Sequence, residues 1–146
     1  MNLITTLEAN RIYEIKKNWC LFLNTEKALV ENYFQWLSLK IHNQKKLLYG
    51  KGNLKFNTKS YDVELYYSPF FNFRHDRIYI RDKSIKYNDD IHLYKDLSLC
   101  LYHPVIDKPL LSGIPLYKMI PWITEWIVFY EKYREYGVWL GKEIKH

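Results

Sequence analysis

The stretch 91–104 contains the residues whose types and spacing could support chemistry. It places Cys100 in an alternating apolar run, with Leu97, Leu99 and Leu101 pointing to one side. This alternation fits a short extended segment and does not fit the period of a helix. A nucleophilic cysteine needs partly exposed, polar and preferably electropositive surroundings, because the thiolate is the reactive form. The run therefore predicts either such a nucleophile or a small buried side chain in a strand, the commoner state of a free cysteine.

Ring and hydroxyl side chains lie on the cysteine side of this stretch. They include Tyr94, Ser98 and Tyr102, with His92 and His103 as further candidates. These groups would give Cys100 the polar surroundings that a reactive thiol needs.

Three sequence blocks follow one another in an order that is typical of one protein family. The first block, 92–104, contains Ser-Leu-Cys-Leu-Tyr; the second, 120–131, begins Ile-Pro-Trp and contains Glu-Trp; the third, 137–141, reads Gly-Val-Trp-Leu-Gly. In these blocks the chain resembles bacterial ubiquitin-conjugating-like proteins, which have the ubiquitin-conjugating (UBC) fold and occur in anti-phage operons of the cyclic-oligonucleotide signalling type (CBASS). The last third of the chain carries the motifs, and the middle third matches by strand pattern.

The resemblance implies that Cys100 is the covalent residue of a thioester-forming transferase that uses no cofactor and no metal. In the family, the motif cysteine takes an acyl group from the C-terminus of a donor protein and passes it to an amine, usually a lysine. A thiolate is both a good nucleophile and a good leaving group, so the thioester stays reactive toward amines. The transition state places negative charge on the carbonyl oxygen, so a nearby hydrogen-bond donor is required.

His92 occupies the position at which eukaryotic relatives have the asparagine of a His-Pro-Asn triplet, eight residues before the cysteine. Its imidazole can donate a hydrogen bond or carry positive charge. The resemblance thus implies an oxyanion-stabilising or loop-bracing role, while a histidine bonded only to backbone is the alternative. The remaining candidates are expected to shape the loop or to line the path of the donor: Tyr94, Asp96, Ser98, Tyr102 and His103.

The partners are also implied by the resemblance. Relatives occur beside a cyclic-oligonucleotide synthase, whose C-terminus can be the transferred acyl group. The expected partners are therefore a donor protein with an activated C-terminus, for which such a synthase is a candidate, and a target protein with acceptor lysines. A catalytically inactive UBC-like binding module stays open as another function.

Nucleic-acid binding is a further alternative, and it would use the basic band Lys40–Lys59. This band lies in a stretch without acidic residues, in a chain with a net charge of +6. A lysine-rich band can bind nucleic acid or an acidic protein, although a solvated sheet face is the commoner explanation. Nucleic acid is therefore not the expected partner.

The chain is long enough, at 146 residues, for one domain with a substantial core. Its two cysteines form neither a metal-ligand spacing nor a disulfide framework. Cys20 lies in the apolar run 19–23, which predicts a core position. No signal pattern and no run long enough to cross a bilayer is present, so the expected location is the cytoplasm.

The predicted fold class is α+β: a UBC-like antiparallel meander sheet packed on helices. Strand-like runs cover 36–41, 47–56, 61–67 and 77–81, and two glycines in the second run indicate a bulge or kink. By resemblance, the UBC-like domain spans residues 24–146, and residues 1–23 form an N-terminal extension of unknown role.

Two helices are predicted within that domain. The first covers 26–36 and is capped by Asn24 and Thr25. The second covers 116–136; Pro121 is expected to kink or restart it and Gly137 to end it. One stripe of this second helix should cover the sheet. Its other stripe is aromatic (Trp122, Trp126, Phe129 and Tyr133) and is expected to pack internally rather than on a partner.

Overall fold

A computed structural model of the chain describes residues 3–70, 74–102 and 114–141. The elements, in chain order, are helices α1 (Leu3–Lys17) and α2 (Trp19–Tyr33), strands β1 (Leu37–His42), β2 (Leu47–Phe56), β3 (Lys59–Tyr67) and β4 (Asp76–Ile80), a short 3-10 helix (Asp89–Ile91), and helix α3 (Leu116–Tyr136). None of the helices in these ranges is both long and apolar enough to span a membrane.

The four strands form one antiparallel sheet in the order β1-β2-β3-β4, which confirms the predicted meander and the α+β class. The side-chain period of two is clearest in β3, where Tyr61, Val63 and Leu65 are buried and the residues between them are more exposed. The buried face joins the apolar side chains of α2 and α3 in one core. This arrangement is consistent with the UBC-like fold.

The glycines of β2 serve close packing and not a bulge. The strand pairs regularly with both neighbours through Gly50 and Gly52, so the predicted bulge is wrong. A Cβ atom on Gly50 would lie 2.2 Å from Leu39 Cδ2 and 2.8 Å from the Ser38 carbonyl oxygen. Glycine is therefore the residue that lets the neighbouring strand lie this close.

Helix α2 begins at Trp19, earlier than predicted. Asn24 and Thr25 do not cap it: their side chains donate to the carbonyl oxygens of Cys20 and Leu21, each at 2.8 Å. Bonds of this kind, to the residue four positions earlier, are those of a helix interior. The helix therefore runs without interruption across the predicted boundary of the N-terminal extension, and the division into two parts stays a prediction.

Cys20 is exposed on α2, so the predicted core position is wrong. The buried residues of α2 are Leu23, Glu26 and Val30, which recur at helical spacing. This spacing leaves Cys20 and Leu21 on the solvent side. The local run of apolar residues did not reveal which side chains of α2 face the core, because a helix that is apolar over one turn still buries only one face.

Helix α3 has the predicted bounds and continues through Pro121 without restarting. Gly137 adopts a left-handed conformation (φ 75°) and donates its N–H to the Tyr133 carbonyl at 2.7 Å, which ends the helix as expected. The stripe that faces the sheet is buried as predicted: Leu116, Met119, Ile120, Ile123, Ile127 and Tyr130.

The N-terminus of α3 is capped from another helix. Pro115 provides no side-chain cap. Glu26 of α2 instead accepts hydrogen bonds from the backbone of Leu116 and Tyr117. Burial raises the pKa of Glu26, and these backbone bonds lower it in part. The contact satisfies backbone donors that a helix start leaves unpaired, and it ties α2 to α3.

The aromatic stripe of α3 packs internally, as predicted. Trp126 stacks on Tyr130 with ring centroids 5.0 Å apart, and it also contacts Trp139 at 5.9 Å. Asn88 donates to the Tyr133 hydroxyl at 2.9 Å. The stripe thus packs on the segment before Cys100 and on Trp139.

Candidate active site

The predicted extended segment around Cys100 is a loop that closes on itself. The Cys100 N–H donates to the His92 carbonyl at 2.9 Å. Leu93 and Leu99 form an isolated antiparallel bridge beside this bond. These contacts place His92 opposite Cys100, although eight positions separate the two in the chain.

Both β4 and α3 anchor this loop. The Leu99 N–H donates to the Ile78 carbonyl of β4 at 2.7 Å. Trp126 Nε1 of α3 donates to the Ile91 carbonyl at 2.9 Å. The loop is therefore held from both sides, and Ser98, Leu99 and Cys100 are all buried.

Cys100 is 3% exposed, so the partial exposure expected of a nucleophile is not found. Its thiol donates to the Tyr102 carbonyl, with the sulfur 3.9 Å from that oxygen. A sulfur in this position can meet a macromolecular donor only after the residues that cover it have moved.

Arg74 brings together the polar side chains of the loop. Its Nη1 donates to Ser98 Oγ at 2.9 Å, and its Nη2 lies 3.5 Å from Asp96 Oδ2. Its guanidinium carbon lies 3.6 Å from the centroid of the Tyr94 ring. Three of the predicted supporting residues thus meet on one buried arginine that was not among the predicted site residues.

A sequence signal for Arg74 did exist. Arg74 and Asp76 precede Ile78 and Ile80 at intervals of two residues, and all of them are buried. In a strand, residues at this interval share a face. Two charged residues that continue the spacing of the apolar face of a predicted strand are unusual and typically need buried partners.

Asp96 holds the turn of the loop. Its Oδ1 accepts hydrogen bonds from the Ser98 backbone N–H at 2.9 Å and from Ser98 Oγ at 2.5 Å. Partial burial raises the pKa of Asp96, but the bonds from Ser98 and the charges of Arg74 and Arg77 lower it below its usual range. The side chain is therefore a carboxylate over the whole neutral range.

Tyr102 is buried against a second carboxyl group. Its hydroxyl donates to Asp76 Oδ1 at 2.6 Å, and Asp76 is fully buried. Burial raises the pKa of Asp76, while the bond from Tyr102 and the nearby charge of Arg74 oppose that rise. Burial and the neighbouring Asp76 raise the pKa of Tyr102, which keeps the phenol neutral.

The Tyr94 hydroxyl is buried and interacts with the Cys100 side chain. Burial raises the pKa of Tyr94, and the interaction with Cys100 raises it further, against the positive charge of Arg74. The phenol is therefore neutral and carries a proton that it can donate.

His92 is buried and has a left-handed backbone, with φ 57° and ψ 55°. This conformation is uncommon outside glycine and often accompanies functional sites. The imidazole packs on the Trp139 ring, with centroids 5.0 Å apart. His103, the remaining predicted site residue, lies outside the described residues.

A profile of the family described as type II CBASS E2 protein matches residues 25–146. The chain belongs to this family. Among curated proteins and among solved structures, none is significantly similar to it. Membership assigns the protein an E2-like role in CBASS anti-phage systems, alongside other CBASS proteins. The matched range contains all three motif blocks and the loop around Cys100.

Two further features of this CBASS E2 protein concern metal binding and the basic band. Within the ranges that the structure covers, no group of histidine, cysteine and acidic side chains could hold a metal ion. Part of the basic band has internal partners: Lys59 pairs with Asp82 at 2.9 Å, and Lys46 lies over the rings of Trp19 and Phe70. The band is thus less available to nucleic acid than its sequence suggests.

Proposed function

We propose that this CBASS E2 protein carries an acyl group as a thioester on Cys100 and transfers it to an amine of a target protein. The observation that supports the proposal is the setting of Cys100. The cysteine lies in a loop that β4 and α3 both hold, its N–H bonds to the carbonyl of His92, and polar side chains surround it.

The first step would form the thioester. The sulfur, as a thiolate, attacks the carbonyl carbon of the donor's C-terminus, which must arrive activated as a thioester or an acyl adenylate. A carbon–sulfur bond forms, and the activating group leaves with the electrons of the bond that breaks. The thiol proton passes to solvent before the attack.

The second step would transfer the acyl group to the target and regenerate the free Cys100 thiolate. A neutral amine of the target attacks the same carbonyl carbon, so that a carbon–nitrogen bond forms and the amine proton passes to solvent. The Cys100 thiolate leaves with the electrons of the carbon–sulfur bond. The donor and the target are then joined by an amide.

His92 is proposed to stabilise the oxyanion of these steps or to brace the loop. The bracing role is supported by its carbonyl, which accepts the Cys100 N–H, and by its ring, which packs on Trp139. A hydrogen-bond donor at the developing oxyanion typically contributes about a hundredfold in rate.

The proposed donor is a cyclic-oligonucleotide synthase of the same defence system, and the proposed acceptors are lysines of a target protein. The family's place in CBASS systems supports a donor from the same system. A reducing cytoplasm would be the suitable location, because it keeps Cys100 as a free thiol. The burial of Cys100 requires the donor to open the loop when it binds.

That burial also favours a second candidate, a UBC-like binding module without covalent chemistry. A cysteine that is 3% exposed can serve as a core residue. This candidate predicts that the protein binds CBASS partners and never carries an acyl group.

The deciding experiment follows the adduct in cells that contain the complete defence system. The tagged protein is recovered, separated on a non-reducing gel and weighed by intact-mass spectrometry, with and without a thiol reductant. We expect a wild-type adduct that the reductant removes, and Cys20→Ser should keep it.

Cys100→Ser should form an adduct slowly, as an oxygen ester that survives reductant and breaks in strong base. A thiol-sensitive adduct that persists in Cys100→Ser would place the acyl group elsewhere. A wild-type protein that binds its partners without any adduct would support the binding module instead.

A further inference from the structure

Contacts of the ring and hydrogen bonds of the backbone both hold Tyr94 in position. The Arg74 guanidinium covers the ring at 3.6 Å from the centroid. The Tyr94 N–H donates to the Ser98 carbonyl at 2.9 Å, and its own carbonyl accepts the Leu97 N–H at 2.8 Å. Tyr94 and Cys100 each adjoin a member of the antiparallel Leu93–Leu99 bridge, so their side chains share the face opposite to those leucines. On that face the Tyr94 hydroxyl interacts with the Cys100 side chain.

Arg74 is itself fixed by the loop. Ser98 and Asp96 take up two of its nitrogen atoms, and the side chain is buried. Arginine stays charged under all ordinary conditions, and its planar guanidinium can stack on a ring in a way that the lysine ammonium cannot. The contact with Tyr94 therefore depends on arginine in particular.

The thiolate form of Cys100 needs a hydrogen-bond donor nearby. A buried sulfur disfavours the charged thiolate, because burial removes the solvent that would stabilise it. The thiol form has an acceptor in the Tyr102 carbonyl. The thiolate form has no proton to donate and instead needs a group that donates to it.

We infer that the Tyr94 hydroxyl donates a hydrogen bond to the Cys100 sulfur and stabilises its thiolate, and that Arg74 is the positioning residue that holds Tyr94 for this task. This inference rests on the proposed function, in which Cys100 is the covalent residue. It gives Tyr94 a role beyond shaping the loop.

Other charged and titratable groups lie in the same site, and their charges favour or oppose the Cys100 thiolate. The loop contributes His92, Tyr102 and Asp96, and the segment that enters β4 contributes Arg74 and Asp76. A negative charge on Asp76 opposes the thiolate, and the charge on Arg74 favours it. The test must therefore remove the Tyr94 hydroxyl without changing these charges.

Tyr94→Phe meets that condition, because it keeps the ring and its contact with Arg74. The titration of Cys100 is followed by carbon-13 NMR of cysteine-labelled protein, in a Cys20→Ser background that leaves one signal. We expect Tyr94→Phe to move the titration midpoint upward by about one pH unit, a tenfold change in the thiolate-to-thiol ratio. Tyr130→Phe, which removes a buried hydroxyl that donates to the Ser84 carbonyl, should leave the midpoint unchanged.

Arg74→Lys tests the positioning role. It keeps the positive charge and loses the stacking. In the protein that retains Tyr94 it should therefore also raise the titration midpoint of Cys100. Combined with Tyr94→Phe it should add almost nothing, because residues that act through one another are not additive. If Arg74→Lys raised the titration midpoint equally with Tyr94 and with Tyr94→Phe, Arg74 would act directly on Cys100. That result would overturn its positioning role.

A folded Tyr94→Phe protein, confirmed by thermal unfolding, that titrates like its parent would overturn the role of Tyr94. Because the titration uses no donor, its outcome is independent of the adduct experiment. A failed adduct with the expected titration would remove the proposed function and leave the Tyr94–Cys100 pair standing.

Discussion

The two cysteines occupy opposite environments. Cys20 lies exposed on α2, where its sulfur accepts a hydrogen bond from Asn24 Nδ2 at 3.4 Å. Cys100 is buried in a loop that Arg74, Asp96 and two secondary-structure elements hold in place. The difference shows that the residue types around a cysteine do not decide its access to solvent: the thiol in the apolar run lies on a helix surface, and the thiol in the family motif is buried.

Alkylation of the native protein should give the largest difference between the two sites. Cys20 should react faster than Cys100 by on the order of a hundredfold, because a buried thiol reacts only through local opening, and about 3 kcal/mol of opening corresponds to that ratio. Peptide mapping after brief exposure to iodoacetamide measures it, with Cys20→Ser and Cys100→Ser as matched controls. The residue types of the two runs predicted the reverse order, and labelling of Cys100 first would show that the loop is open in solution.

Trp126→Ala should remove the support of α3 beneath the Cys100 loop. The loss of this buried ring should lower the free energy of unfolding by about 3–5 kcal/mol, as measured by urea denaturation. The alkylation rate of Cys100 should rise while that of Cys20 stays the same.

Trp126→Phe separates packing from hydrogen bonding, since it keeps a ring and loses the Nε1 donor to the Ile91 carbonyl. Its free energy of unfolding should fall by less, about 1 kcal/mol. Stability of Trp126→Ala equal to that of the parent would contradict the internal packing of the aromatic stripe.

Asp96→Asn should give the smallest effect, a loss of about 0.5 kcal/mol of unfolding free energy at neutral pH, because its ion pairs are partly exposed. The pKa of Asp96 is lowered in the folded protein from its usual 3.8. The carboxylate therefore stabilises the protein above that pH, and the contribution is lost as the pH falls through the folded value.

The measurement compares the unfolding free energy of Asp96→Asn and of the parent at about pH 7 and about pH 3. The difference between them should shrink in acid. An equal difference at both pH values would mean that the charge of Asp96 contributes nothing, and that only the shape of its side chain holds the loop.

Local periodicity in the sequence determined much of the fold. The alternation of Tyr61, Val63 and Leu65 specifies one buried face of a strand, because successive side chains of a strand point to opposite sides. The bounds of α3 were likewise set by its apolar stripe and by Gly137, whose conformation ends a helix at little cost. The motif around Cys100 identified the family, since its residue types and order are written in the chain itself.

Tertiary structure alone decided the environment of each cysteine. Cys20 is exposed because α2 turns residues 23, 26 and 30 toward the core, an orientation that depends on where β1 and α3 lie. Cys100 is buried in a loop that hydrogen bonds from Trp126 of α3 and to Ile78 of β4 hold in place. Arg74 reaches Ser98 across 24 positions of the chain. A contact of that range exists only after the intervening chain has folded. The local spacing shows that Arg74 needs a buried partner, but only the fold decides that this partner is Ser98.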